Sequence, residues 1–165
     1  MKKLAVLISL CITHLCLASS ALAQTPVKIL TGQTEKQVRD YFSSLKDFFR
    51  SNKYVEIEQK TSDDGDLILQ FGTPTLQEEI TSSLSIITRF IMLNDGTEVC
   101  TQQSILGTEK SAYKNLSNIK KHFARDPEKE AVWVREYNEH FIEVAEFHKQ
   151  DNFYEIKISM VSKKE

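Results

Sequence analysis

A chain of 165 residues with 21 basic and 23 acidic side chains, a formal charge of −2, is the size of one domain and has no strong net field. Binding to nucleic acid rests on a concentrated basic face, and the basic residues here are scattered, so nucleic acid is excluded as the expected partner. Two of the three cysteines fall within the first sixteen residues, which leaves too few for a disulfide framework.

The chain opens with Met1-Lys2-Lys3 and then runs apolar from Leu4 to Leu17. Ala21-Leu22-Ala23 follows, with Gln24 next. A basic start, an apolar stretch and small residues at positions −3 and −1 are what a signal peptidase reads, so cleavage is expected between Ala23 and Gln24. A membrane anchor needs roughly 20 apolar residues, and Thr13, His14 and the serines interrupt the stretch too early. Cys11 and Cys16 each follow a leucine, where lipoprotein processing wants a small residue. The expected organisation is a signal peptide over residues 1–23, a lead-in over 24–33 and one α+β domain over 34–165. Without Lys2 and Lys3 the basic count falls from 21 to 19 against 23 acidic residues, so the exported chain would carry −4.

Within the lead-in, Val27–Leu30 is short and apolar enough for a small strand. Thr34 and Gln37 then form a capping-box pattern, in which a hydroxyl and an amide satisfy the open amides of a helix start. Val38, Tyr41, Phe42, Leu45, Phe48 and Phe49 fall on one face of the helix this opens. Two hairpins follow. Val55 and Ile57 alternate with Glu56 and Glu58, and Leu67–Phe71 answers across Ser62-Asp63-Asp64-Gly65. Leu84–Leu93 pairs with Thr97–Leu106 across Asn94-Asp95-Gly96, Asp-Gly being a strong hairpin signal. The stretch from Gly72 to Ile80 reads as a loop with a helical turn after Pro74. A second helix starts at Thr108, buries Ala112, Leu116, Ile119 and Phe123, and is expected to stop at Pro127, since the residue before a proline is pushed out of helical geometry.

Three strands are expected after it, Ala131–Tyr137, His140–His148 and Asn152–Ser162. A helix over 134–147 is the rival, because Arg135, Glu136, Glu139, Glu143 and Glu146 gather on one side of a helical wheel. Strands are preferred because β-branched and aromatic residues dominate the segment. The resulting fold class is α+β, a two-layer structure with a curved antiparallel sheet of about seven strands and two helices on one face, in the order α-ββββ-α-βββ. Similar layouts occur in TATA-binding-protein-like folds, an analogy of shape that carries no function.

Chemistry is sparse. On a strand, Glu146 and His148 share a face as i and i+2 and are candidates for a metal, but two ligands fall short of the three or four a zinc site uses. His140, some 20 Å further along at roughly 3.3 Å per residue, cannot join them. Asp63-Asp64-Gly65-Asp66 resembles a calcium loop only at its start, because the twelfth position is Pro74 where a glutamate is required. Cys100 lies mid-strand without the helix start or basic neighbour that makes a thiolate reactive, and burial is its expected fate. Gly107-Thr108-Glu109-Lys110 offers helix-start amides to an anion, opposed by Glu109. Asn115-Leu116-Ser117 matches a glycosylation acceptor inside a helix whose Leu116 the core needs. No metal or cofactor is expected.

The remaining signal is a surplus of apolar residues on the sheet. Leu84, Ile86, Phe90 and Met92 lie on one side of a strand, and Ile87, Ile91 and Leu93 on the other, where a half-buried strand alternates more cleanly. Ile87, Ile91, Trp133, Phe141 and Phe153 are therefore the candidate binding residues. The expectation is an exported protein, periplasmic or secreted and of Gram-negative origin. It would be non-catalytic, not membrane-spanning after cleavage, and bind another protein, an apolar ligand or a second copy of itself. The alternatives are a small envelope enzyme with a site at Glu146, His148 and a neighbouring carboxylate, and a subunit of a larger envelope assembly.

Overall fold

The fold, taken from a computed structural model, is described for residues 26–48, 55–72, 84–151 and 153–163. The signal segment with Ala23 and Gln24, Phe49, and the loop with its helical turn after Pro74 lie outside these residues. Helix α1 (Glu35–Phe48) is followed by β1 (Val55–Thr61), β2 (Leu67–Gly72), β3 (Ser85–Met92) and β4 (Glu98–Gly107). Helix α2 (Glu109–His122) is followed by β5 (Ala124–Arg125), β6 (Val132–Glu136), β7 (Phe141–Lys149) and β8 (Tyr154–Ser162). All eight strands form one open antiparallel sheet in the order β1-β2-β3-β4-β8-β7-β6-β5.

Local chemistry accounts for most boundaries. Thr34 Oγ1 accepts from the Gln37 N–H at 3.3 Å, and Gln37 Oε1 accepts from the Thr34 N–H at 2.9 Å, so the capping box forms in both directions. Both Asp-Gly turns close, with Gly65 at φ +87° and Gly96 at φ +81°, a region that only glycine enters without steric cost.

Two expectations about the second half of the chain need correction. The sheet has eight strands, because Ala124–Arg125 pairs with Val134 and Trp133. Helix α2 accordingly ends at His122 and not at Pro127. Phe123 is already extended (φ −121°, ψ 140°), and its N–H gives the last helical bond to the Ile119 carbonyl at 2.9 Å. Apolar spacing could not show this, since Phe123 is buried whether or not the helix continues past it. The segment 134–147 holds strands, and Glu143, which the helical wheel placed on its polar side, is fully buried.

The register explains the core. One row crosses the sheet as Gln59, Leu69, Thr88, Gln103, Ile158, Ala145, Trp133 and Arg125, and the six residues between its ends are buried. The next row holds Phe71, Ile86, Ile105, Ile156 and Phe147. Val38 and Phe42 of α1, and Leu116 and Ile119 of α2, belong to the same buried cluster as this sheet face. Phe42 stacks on Phe71 with ring centroids 4.0 Å apart.

Residues 26–34 complete that core. Leu30 is fully buried and Val27 nearly so, yet the segment Val27–Leu30 joins no strand ladder. Past it, the Gly32 N–H donates to the Cys100 carbonyl at 2.8 Å and the Cys100 N–H to the Gln33 carbonyl at 2.9 Å. This contact uses the stretch of β4 that β8 leaves unpaired, because the β4–β8 register begins only at Gln102. A bulge in β4 between the partners of Arg89 and Phe90 separates the two stretches.

Candidate functional site

The sheet face turned away from the core is built by the alternate residues of the same strands. Its row is Lys60, Ile68, Arg89, Gln102, Ser159, Val144, Val134 and Ala124. Beside it Ile91 pairs with Val99, and Ile142 pairs with Val161. Two apolar clusters result, Ile68, Ile87, Ile91 and Val99 on one side and Val134, Ile142, Val144 and Val161 on the other. Gln102, Ser104, Lys157 and Ser159 run between them. Ile91 is 38 % exposed and Val161 43 %.

Arg89 projects from this face toward the first hairpin turn, where its Nε meets Asp66 Oδ2 at 2.6 Å and its Nη2 meets Asp64 Oδ2 at 2.9 Å. The hydrogen bond to Asp66, then that to Asp64, raise its pKa above the ordinary arginine value. The acidic turn that resembled the start of a calcium loop therefore serves an arginine. Glu146 and His148 do share this face, with His148 Nε2 4.0 Å from Glu146 Oε2 and both side chains partly open to solvent. Among the described residues no group of three or more His, Cys, Asp or Glu could hold a metal ion.

The five candidate binding residues are dispersed. Ile87 and Ile91 lie on the outer face. Trp133 lies on the core face and is 8 % exposed, with Lys120 Nζ 5.3 Å above its ring. Phe141 begins β7 on the core side, whereas Phe153 precedes β8 at the other end of the β7–β8 hairpin. The length of β7, about 26 Å at roughly 3.3 Å per residue, separates those two. An open hollow of about 440 Å³ at the β5 edge is lined by Lys120, Arg125, Glu130, Ala131 and Trp133. Ala131 there has φ +56°, the one left-handed residue other than glycine among those described.

Sequence reasoning missed a buried polar set on the core face. Glu143 accepts from Arg135 Nε at 2.6 Å, pairs also with Arg135 Nη2, and accepts from the Thr31 hydroxyl. Gln103 Oε1 accepts from the Leu30 N–H at 2.9 Å, and Gln103 Nε2 donates to the Lys28 carbonyl at 3.0 Å. Asn115 Oδ1 accepts from the Val27 N–H at 2.8 Å. Unbroken alternation groups Cys100 with Gln102, Ser104 and Leu106, but the bulge moves Gln103 to the side of Cys100 and hides it. Glu143 was legible as a charge standing between Phe141 and Ala145 at inward positions.

Cys100 is fully buried, and burial above all, with Glu143 nearby, pushes its thiol up to about 12. Glu98 is raised above the usual carboxylate range, first by desolvation and next by its hydrogen bond to Glu35. No helix among the described residues is long and apolar enough to cross a membrane. Compared with protein-family models, with curated proteins and with solved structures, the chain matches none.

Proposed function

We propose that the chain is an exported, non-catalytic binding protein of the periplasm or extracellular space that works through the outer face of its sheet. The observation that carries this reading is the pair of apolar clusters there, with Ile91 and Val161 still exposed after folding. Apolar groups left in water on an ordered sheet gain free energy when a partner covers them. The finer layout that goes with it has two layers, a curved sheet and both helices over one face, as in TATA-binding-protein-like folds. The single buried cluster shared by both helices and one sheet face supports that layout.

Native mass spectrometry on the protein recovered from an exported preparation tests the reading. A chain beginning at Gln24 that carries a second copy, another protein or an apolar molecule is the expected result. The bound species should be lost in an Ile91→Asp, Val161→Asp double variant of unchanged stability. A bare monomer that no extract component alters would overturn the binding reading, and a mass retaining residues 1–23 would overturn export. The enzyme reading draws support only from the 4.0 Å contact between Glu146 and His148. It requires a carboxylate from a neighbouring strand to converge with them in a cleft, and an activity of the wild type that His148→Ala loses.

A further inference from the structure

Helix α2 presents cations that the fold leaves without carboxylate partners. Its buried side is Ala112, Asn115, Leu116 and Ile119. Lys110, Lys114 and Lys121 follow one another along the opposite side at spacings of four and seven, and Tyr113 and Lys120 flank them toward β7 and β6. The helix carries four lysines against Glu109, a formal charge of +3 on a chain whose total is −2. Arg125, lining the hollow with Lys120, Glu130 and Trp133, and Lys149, with its Nζ 5.9 Å above the Tyr154 ring, extend the same face. None of these six cations forms an ion pair among the described residues. Away from this face Lys36, Arg39, Lys60, Arg89, Arg135 and Lys163 each meet a carboxylate, and Lys28 and Lys157 do not.

Helix stability does not account for this arrangement. The helix dipole favours Lys120 and Lys121 in the last turn but opposes Lys110 in the first. The cations are also interleaved with rings. Tyr113, 52 % exposed, stands 5.5 Å from Phe147 and 6.0 Å from Tyr154. Rings with an apolar body and a hydroxyl sit at the headgroup level of a bilayer, where long lysine side chains reach the phosphates. The three rings pack on one another, with Phe147 5.8 Å from Tyr154, and leave no slot between them into which a base could stack. We propose that the solvent side of α2, with Tyr113 and Lys149 beside it, docks the protein on the surface of a membrane that contains anionic phospholipid. Helix α2 covers the core face of the sheet, so this surface lies opposite the outer face and the inference is independent of it.

Flotation with vesicles of the protein recovered from an exported preparation tests it. Vesicles of equal parts phosphatidylcholine and phosphatidylglycerol should carry the protein at low salt and release it as salt is added, whereas pure phosphatidylcholine should not carry it. Each lysine near an anionic surface strengthens binding roughly fivefold, so a Lys110→Gln, Lys114→Gln, Lys121→Gln variant should bind about a hundredfold more weakly. Its melting temperature should not fall below the wild-type value, since none of the three has a carboxylate partner to lose. A Lys36→Gln, Lys60→Gln, Lys163→Gln variant makes the same change in net charge and should bind as the wild type does. Equal losses in the two variants would overturn the docking face, as would equal binding to both kinds of vesicle or binding to neither. Preference for double-stranded DNA over the anionic vesicles would overturn the lipid assignment.

Discussion

The two halves of the sheet follow the same path and are stabilised differently. Each begins with a helix and meanders from an outer edge inward, β1 to β4 in the first half and β5 to β8 in the second, so that β4 and β8 meet at the centre. Each has an arginine about one-third exposed that carries two bonds to acidic groups, Arg89 on β3 and Arg135 on β6. Arg89 serves an exposed turn on the outer face, where Asp64 is 79 % exposed. Arg135 serves Glu143, whose side chain is wholly buried on the core face. What such a pair is worth depends on where its carboxylate stands, because the cost of an unpaired charge is set by burial.

Replacing the two arginines in turn exposes that difference most strongly. Arg135→Met leaves the Glu143 carboxylate buried with only the Thr31 hydroxyl, and should cost about 3–5 kcal/mol in urea unfolding. Arg89→Met should cost about 0–1 kcal/mol, and less as salt is added. Equal losses would remove the distinction.

The three described glycines of positive φ sharpen the comparison at the next level. Gly65 and Gly96 stand in open space at the hairpin tips, so alanine there meets only left-handed strain, about 1–2 kcal/mol. Gly32 lies against the Tyr137 ring, and an added methyl would collide with it. Gly32→Ala should therefore cost a further 1–3 kcal/mol or so from overpacking. Thermal melts of the three single variants would rank them, and Gly32→Ala no worse than the others would contradict the close contact.

Smaller effects come from titration. The Glu98 carboxyl is raised in the folded state, so the folded protein binds its proton more tightly than the unfolded chain does. The associated stability is complete below the ordinary glutamate value of 4.5 and is lost as pH rises through the folded value. Glu98→Gln should therefore gain on the wild type above that range and not below it, as melts at several pH values would show. Cys100, with its thiol at about 12, should resist thiol reagents near neutral pH until the protein unfolds. Fast labelling of the native chain would contradict its burial.

Elements governed by local chemistry were readable in the sequence. The Thr34–Gln37 cap, both Asp-Gly turns and the alternation of Tyr154, Ile156, Ile158 and Met160 each placed an element correctly. Elements decided by pairing were not. The end of α2 is set by the bonding of Ala124–Arg125 to β6, and the facing of Gln103 by a bulge opposite β3. The role of residues 27–31 was hidden for the same reason. Val27 and Leu30 are too few to show a period, and their partners Gln103, Asn115 and Glu143 lie 73 to 112 residues further along the chain.

Those partners sit on β4, α2 and β7, so the N-terminal segment that leads into the first half is fastened by both halves. Urea unfolding of Leu30→Ala, followed together by Trp133 fluorescence and far-ultraviolet circular dichroism, tests this most directly. A core residue joining both halves should cost about 2–5 kcal/mol, with both signals moving together to a lower midpoint. A midpoint within about 0.5 kcal/mol of the wild type, the usual limit for a surface position, would mean that residues 27–31 are an appendage and that the two halves hold together without them.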